Sequence, residues 1–171
     1  MMWVLVVLVA VVALPGIIGS LMPVRYEGQT VVEFDGRVEQ VWEALQDVEK
    51  HPMTGKMMKS LERLPPQDGR PAWKEDMGRG EIVNVVTTVY EPPQRMTRQM
   101  AATTVDMTSR WDYTLEQADE RCRIRLSGLT DIEKGTARAP FFRFMMFVGG
   151  GVKKGLDIHL DMVAKTLQSE G

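Results

Sequence analysis

Residues 108–130 read TSRWDYTLEQADERCRIRLSGLT, and the reading of this stretch decides the architecture. From Thr108 to Gln117, Ser109, Trp111, Tyr113 and Leu115 point one way, and Arg110, Asp112, Thr114 and Glu116 the other. Residues 118–120 form a turn. The alternation resumes from Arg121 to Thr130, with Cys122, Ile124, Leu126 and Gly128 opposite Arg121, Arg123, Arg125 and Ser127. Side chains that alternate with a period of two, apolar on one side and polar on the other, describe paired strands with one dry and one wet face. The three arginines are expected to form an exposed cross-strand charge ladder with Asp112 and Glu116.

Upstream lie further strands. Gln29 to Phe34 is short. Met58 to Leu64 is closed by Pro65-Pro66, and Ala72 to Met77 by Gly78-Arg79-Gly80. Glu81 to Tyr90 is β-branched and closed by Pro92-Pro93, and Gln94 to Ala102 is a polar strand carrying Met96 and Met100. One segment changes period. In Arg37 to Val48, Val38, Val41, Trp42, Leu45 and Val48 recur at helical spacing, with Asp35 as a candidate N-cap and His51-Pro52 beyond its end. Residues 53–58 have the composition for one more helical turn.

Downstream, Phe141, Met145, Val148, Val152, Leu156, Leu160, Val163 and Leu167 step by three or four, which predicts one long helix from Pro140 to Gln168. Gly149-Gly150-Gly151 falls inside it. Glycine weakens a helix by roughly 1 kcal/mol relative to alanine, so a kink or joint is expected there. Seven of the eight residues in FFRFMMFV (141–148) are apolar, more than a one-sided stripe requires. The excess suits a cavity mouth, a dip into a bilayer, or contact with a loop or partner chain. An α+β fold follows: a curved antiparallel sheet of about six or seven strands around a long C-terminal helix.

Met1 to Met22 carries no charged side chain, and its length suits a membrane-spanning helix. Trp3 lies near one end, where an indole favours the interface. A cleavable signal peptide is the rival. It would need a basic residue at its start and a small-x-small cleavage site, and neither is present. The expected organisation is therefore an anchor (or uncleaved signal) over residues 1–23 and one domain over residues 26–171. Arg25 and Arg37 follow the span, which leans the domain toward the cytoplasm, although two residues leave the side open.

Of the 171 residues, 44% are hydrophobic and 26% charged, as in an ordinary folded domain. Net charge −2, from 21 basic and 23 acidic residues, gives no basic surface for nucleic acid. One cysteine and two distant histidines provide no zinc-ligand spacing, so no metal or cofactor is expected. Cys122, on an alternating strand, reads as a small buried apolar residue rather than a nucleophile. The thirteen methionines suit either plain core filling or a cavity that accepts several apolar shapes.

Four stretches together resemble the START-like (SRPBCC) superfamily, which includes the polyketide cyclase/dehydrase and lipid-transport group. They are VVEFDGRVEQVWEALQDVEKHP, VYEPPQRM, SRWDYTLEQADERCRIRLSGLTDIE and the closing APFFRFMMF…LDIHLDMVAKTL. The usual glycine and threonine of the turn before the last strand are replaced here by ADERC. The resemblance implies a helix-grip fold with an internal cavity, binding a lipid or other apolar small molecule. Cavity candidates are Trp111, Tyr113, Ile124 and Leu126 on the sheet, and Phe141, Met145, Val148, Val152, Leu156 and His159 on the helix. His159 reads either as a cavity acid or base or as a residue at the edge of the buried stripe. No catalytic residue is assigned. Three functions stand: an anchored binding module, a cyclase- or hydratase-type enzyme, and an interaction protein with a filled core. A buried polar cluster converging on the cavity would mark the enzyme, and a solid interior the interaction protein.

Overall fold

The structure is a computed structural model that describes residues 14–50 and 58–170. It opens within a helix, α1, at residues 14–21. Seven strands follow: β1 Arg25–Asp35, β2 Ser60–Gln67, β3 Arg70–Gly78, β4 Glu81–Glu91, β5 Arg95–Ala102, β6 Met107–Ala118 and β7 Arg121–Ile132. Helix α2, Val38–Gln46, lies between β1 and β2, and α3, Ala139–Val148, and α4, Gly151–Glu170, end the chain. All strand pairs are antiparallel, in the order β1-β7-β6-β5-β4-β3-β2. The expected α+β, helix-grip architecture is the one observed.

Local chemistry explains the corners. Asp68 and Gly69 both have positive φ, 50° and 75°, as a two-residue hairpin between β2 and β3 requires. Pro65 and Pro66 do not close β2 as expected. The strand continues past them to Gln67 with a register shift, because it is the sheet edge, where a missing N–H breaks no ladder. Asp35 does not cap α2. It pairs with Arg121 at 3.1 Å, while Gln117 and Gln40 side-chain oxygens accept the Val38 and Arg37 N–H groups. The charge ladder also draws on a different neighbour. Glu33 and Asp35 of β1 hold Arg121 and Arg123, whereas Asp112 accepts from Arg110 and Thr97. β7 lies between β1 and β6, and the acids of β1 reach its arginines first.

The predicted terminal helix is divided into two at the expected glycine joint. Gly150 and Gly151 take φ of +90° and +67°, outside helical geometry, and the chain turns there. The apolar periodicity runs unbroken through the joint in sequence, but the two helices bury different faces. α4 buries Val152, Leu156, Leu160 and Val163, whereas α3 buries Ala139 and Arg143 and leaves Phe141, Met145 and Val148 exposed. Among the described residues no helix is long and apolar enough to cross a membrane, and residues 1–13 of the expected span lie outside them. The helical turn expected at 53–58 falls almost wholly on residues not described.

The main core is formed by α2, α4, β1 and β5–β7, with Val41, Leu45, Met96, Leu115, Ile124, Leu126 and Leu156 fully enclosed. α4 rests on β1 and β7 and touches α2 and α3. Two glycines facing each other across the ladder, Gly28 and Gly128, form its seat. A Cβ at Gly28 would lie 2.5 Å from the Lys153 backbone nitrogen, and one at Gly128 2.6 Å from Val152 Cγ1. Gly28→Ala, pressed against backbone, is expected to cost about 1–3 kcal/mol in urea unfolding. Gly128→Ala should cost less, because the side chains it meets can turn aside. Equal or negligible losses would contradict this seating.

Candidate functional site

Because α4 sits over β1 and β7, a gap opens between it and the other half of the sheet. This cavity has a volume of about 300 Å³. α4 faces it with Gly155, Ile158, His159 and Met162, a helical i, i+3, i+4, i+7 stripe beside the one packed on the sheet. Alternate residues of the strands form its floor: Trp73, Glu75 and Met77 of β3, Val85 of β4, Arg98 and Met100 of β5, and Trp111 and Tyr113 of β6. Val48 and Met58 close one side. Four of the thirteen methionines thus line it, and their flexible thioethers suit an adaptable apolar wall.

The expected cavity residues divide into three groups. Trp111, Tyr113 and His159 line the cavity. Ile124, Leu126, Val152 and Leu156 lie in the solid core beside it, where α4 meets β1 and β7. Phe141, Met145 and Val148 face away, at 50%, 48% and 63% exposure, because the glycine joint reorients α3. His159, beside Leu160 of the buried stripe, is itself buried and in contact with two aromatic rings.

The floor is polar where the sequence reading assigned nothing. Arg98 is 3% exposed, and no carboxylate among the described residues lies within 4.0 Å of its guanidinium. Nη2 donates to the Leu45 carbonyl at 2.9 Å, in the last turn of α2, where carbonyls lack helical partners. The guanidinium stacks over Trp73 at 4.9 Å and Tyr113 at 5.4 Å. Its Nε has no partner, nor does Thr87 Oγ1, which sits directly opposite Arg98 on β4. Tyr113 Oη and His159 Nε2 share a hydrogen bond of 3.2 Å, with the donor set by the imidazole tautomer, and Trp111 packs on the imidazole at 5.2 Å. Glu75 accepts from the Trp73 indole N–H at 2.8 Å.

Burial decides the charge states. It pulls the Arg98 guanidinium below its usual range, with Tyr113 and Glu75 opposing. It pushes the Tyr113 phenol up, with Arg98 opposing, so the phenol keeps its proton at neutral pH. It raises the Glu75 carboxyl against the pull of Trp73 and Arg98. Cys122 lies outside the cavity, and burial pushes its thiol up to about 11, which leaves no nucleophilic thiolate at neutral pH. Among the described residues no three His, Cys, Asp or Glu side chains are grouped to hold a metal ion.

Residue parity could have found the missed groups. Arg98 shares its strand face with Met96 and Met100, and Glu75 shares its face with Trp73 and Met77. A charged residue between two inward apolar ones therefore points inward as well.

A seven-stranded antiparallel sheet holding a terminal helix, with a cavity between them, defines the helix-grip fold. The sequence model of the family described as polyketide cyclase / dehydrase and lipid transport matches residues 26–168, and the chain belongs to that family. Solved structures agree on the fold. The Zhui aromatase/cyclase from a Streptomyces species superposes with a TM-score of 0.65 at 15% identity, covering 84% of this chain and 94% of the other. A START superfamily protein from Mycobacterium smegmatis gives 0.64 at 11%, covering 85% and 99%. A protein of the dynemicin biosynthetic locus gives 0.54 at 15%, and the match covers 84% of this chain but only 48% of that longer one. No protein of curated function matches the sequence. At these identities the likeness carries the fold alone.

The Glu75 shift has a pH consequence. A carboxyl whose folded-state pKa is raised supports folding below its unfolded pKa and loses that support as pH rises through the folded value. Glu75→Gln, which keeps an acceptor for Trp73, is therefore expected to raise the melting temperature at neutral pH. The gain should vanish in acid. A gain independent of pH, or a loss at neutral pH, would contradict the assignment.

Proposed function

We propose that the protein is a membrane-anchored binder of a small apolar acid, with the ligand body between β3–β6 and α4 and its acidic head against Arg98. The supporting observation is the pairing state of Arg98. A buried cation without a carboxylate partner is costly, and a ligand anion would neutralise it and meet the unpartnered Nε. The volume supports a compact guest. About 300 Å³ is at the low end for ligand pockets, which suits a single acyl chain or fused aromatic rings better than a two-chain phospholipid. The family's association with polyketide cyclisation and lipid transport and the likeness to an aromatase/cyclase are compatible with such a guest. The charge-free run Met1–Met22 supports the tether, and Arg25 and Arg37 favour the cytoplasmic side for the domain.

A second reading has its own support. The Tyr113–His159 pair beside a buried cation has the parts for proton abstraction next to a carbonyl, with the imidazole taking the proton and Arg98 holding the oxygen. Exchange of the acidic protons of an aryl β-ketoacid in heavy water would favour this enzyme reading if wild type accelerates it and His159→Gln does not.

The binding reading is tested with naphthoate and its uncharged analogue naphthylmethanol, followed by quenching of tryptophan fluorescence. Wild type is expected to prefer the acid by about tenfold, the scale of one charged hydrogen bond. Arg98→Leu should stay folded and lose that preference. Equal affinity of wild type for both compounds would overturn the proposal.

A further inference from the structure

Helix α3 is amphipathic the wrong way round for a water-facing helix. Its one charged residue, Arg143, is 1% exposed, and Nε and Nη2 both donate to the Ile132 carbonyl, at 2.9 and 2.8 Å. The outward face is Phe141, Met145, Phe147 and Val148, each about half exposed or more. α1 is similar: Leu14, Ile17 and Leu21 are 55%, 60% and 84% exposed. Nine large hydrophobic residues are exposed among the described ones, and seven belong to these two helices, so the apolar surface is concentrated rather than scattered.

The two helices are in close contact. Gly19 of α1 approaches Pro140 of α3 so closely that a Cβ there would lie 1.7 Å from the Pro140 carbonyl oxygen. The groove where they meet is lined by Gly16, Pro140 and Phe141, by Arg79 and Arg138, both exposed, and by Glu81, whose carboxylate accepts hydrogen bonds from Thr103 and Thr104. α1 is the end of the charge-free run, and residues 1–13, uncharged throughout, lead directly into it.

We propose that the outward face of α3 rests in the surface layer of a phospholipid bilayer beside the point where α1 enters it, with Arg79 and Arg138 meeting anionic headgroups. The inference builds on the tether reading and names the surface that the tether brings down. An apolar helix face beside a membrane-directed segment loses its contact with water by lying at the headgroup–acyl boundary, and nearby arginines add attraction to anionic lipid. α3 then has a reason to turn its only charge inward.

The test uses the full chain in vesicles of phosphatidylcholine and phosphatidylglycerol. Cys122 is buried and its thiol stays protonated, so a fluorophore can be placed singly through Met145→Cys, Val148→Cys, Ile17→Cys or, as a control on β1, Val31→Cys. Nitroxide-bearing lipids report depth. Positions 145, 148 and 17 are expected to be quenched several-fold more than 31. Quenching at 17 but not at 145 and 148 would leave the tether standing and overturn the α3 proposal. If 145 and 148 are shielded from aqueous iodide yet not quenched from the lipid, a protein surface covers α3, and the proposal fails. If the chain does not float with vesicles, the tether reading falls, and this proposal with it.

Discussion

The close approach of α4 to the sheet at Gly28 and Gly128 is the contact on which the rest of the structure depends. Side chains on both strands would hold the helix off. With hydrogen alone at these two facing positions, the Val152–Lys153 backbone reaches the ladder, and the helix is fixed over β1 and β7 at one side of a seven-stranded sheet. A 20-residue helix is only about 10–12 Å wide and cannot cover seven strands at once. Once it is seated at one side, the inner faces of β3 and β4 and the adjoining parts of β5 and β6 are left without a helix packed against them. The hollow is therefore a consequence of where the helix sits, and large side chains (four flexible methionines and two rigid tryptophans) line it without filling it.

The interior of that hollow sets desolvation against weak compensation. Arg98 loses water and regains one carbonyl, two aromatic faces and the distant pull of Glu75. A hydrophobic residue of the same volume would often stabilise the fold as well or better, so a buried cation calls for an explanation outside folding stability. The unpartnered Nε and the neighbouring Thr87 hydroxyl point the same way, since buried polar groups in folded proteins nearly always have partners. Under the proposed binding reading, a guest's acidic head is the partner that the Arg98 Nε lacks, and the aromatic walls hold the rest of it.

Much of this was legible in the sequence. The alternation in residues 108–130 set β6 and β7 and their inward sides, and the stepping of Val152, Leu156, Leu160 and Val163 set α4. Trp111 and Tyr113 reached the cavity through the same alternation. Phe141, Met145 and Val148 misled because hydrophobic spacing carries no record of a backbone turn. The three glycines mark the joint, but the direction in which the chain turns there is set by the φ values of Gly150 and Gly151. Arg98 and Glu75 were passed over because charge was taken as a sign of the wet face, although both lie in step with inward-facing neighbours. His159 needed its tertiary partner Tyr113, 46 residues away in the chain, before its surroundings could be read.

The central claim is that the space between α4 and β3–β6 is empty of protein, and Gly155 offers the most direct measurement of it. A Cβ at this helical position would meet nothing within 4 Å. Calorimetric unfolding of Gly155→Leu, with and without naphthoate, compares filling the space with leaving it open. The expected result is a variant more stable than wild type on its own, since leucine favours the helix by most of a kcal/mol over glycine (~0.8 kcal/mol), and no longer stabilised by the acid. A variant that unfolds earlier, or that keeps the full ligand shift, would contradict the claim.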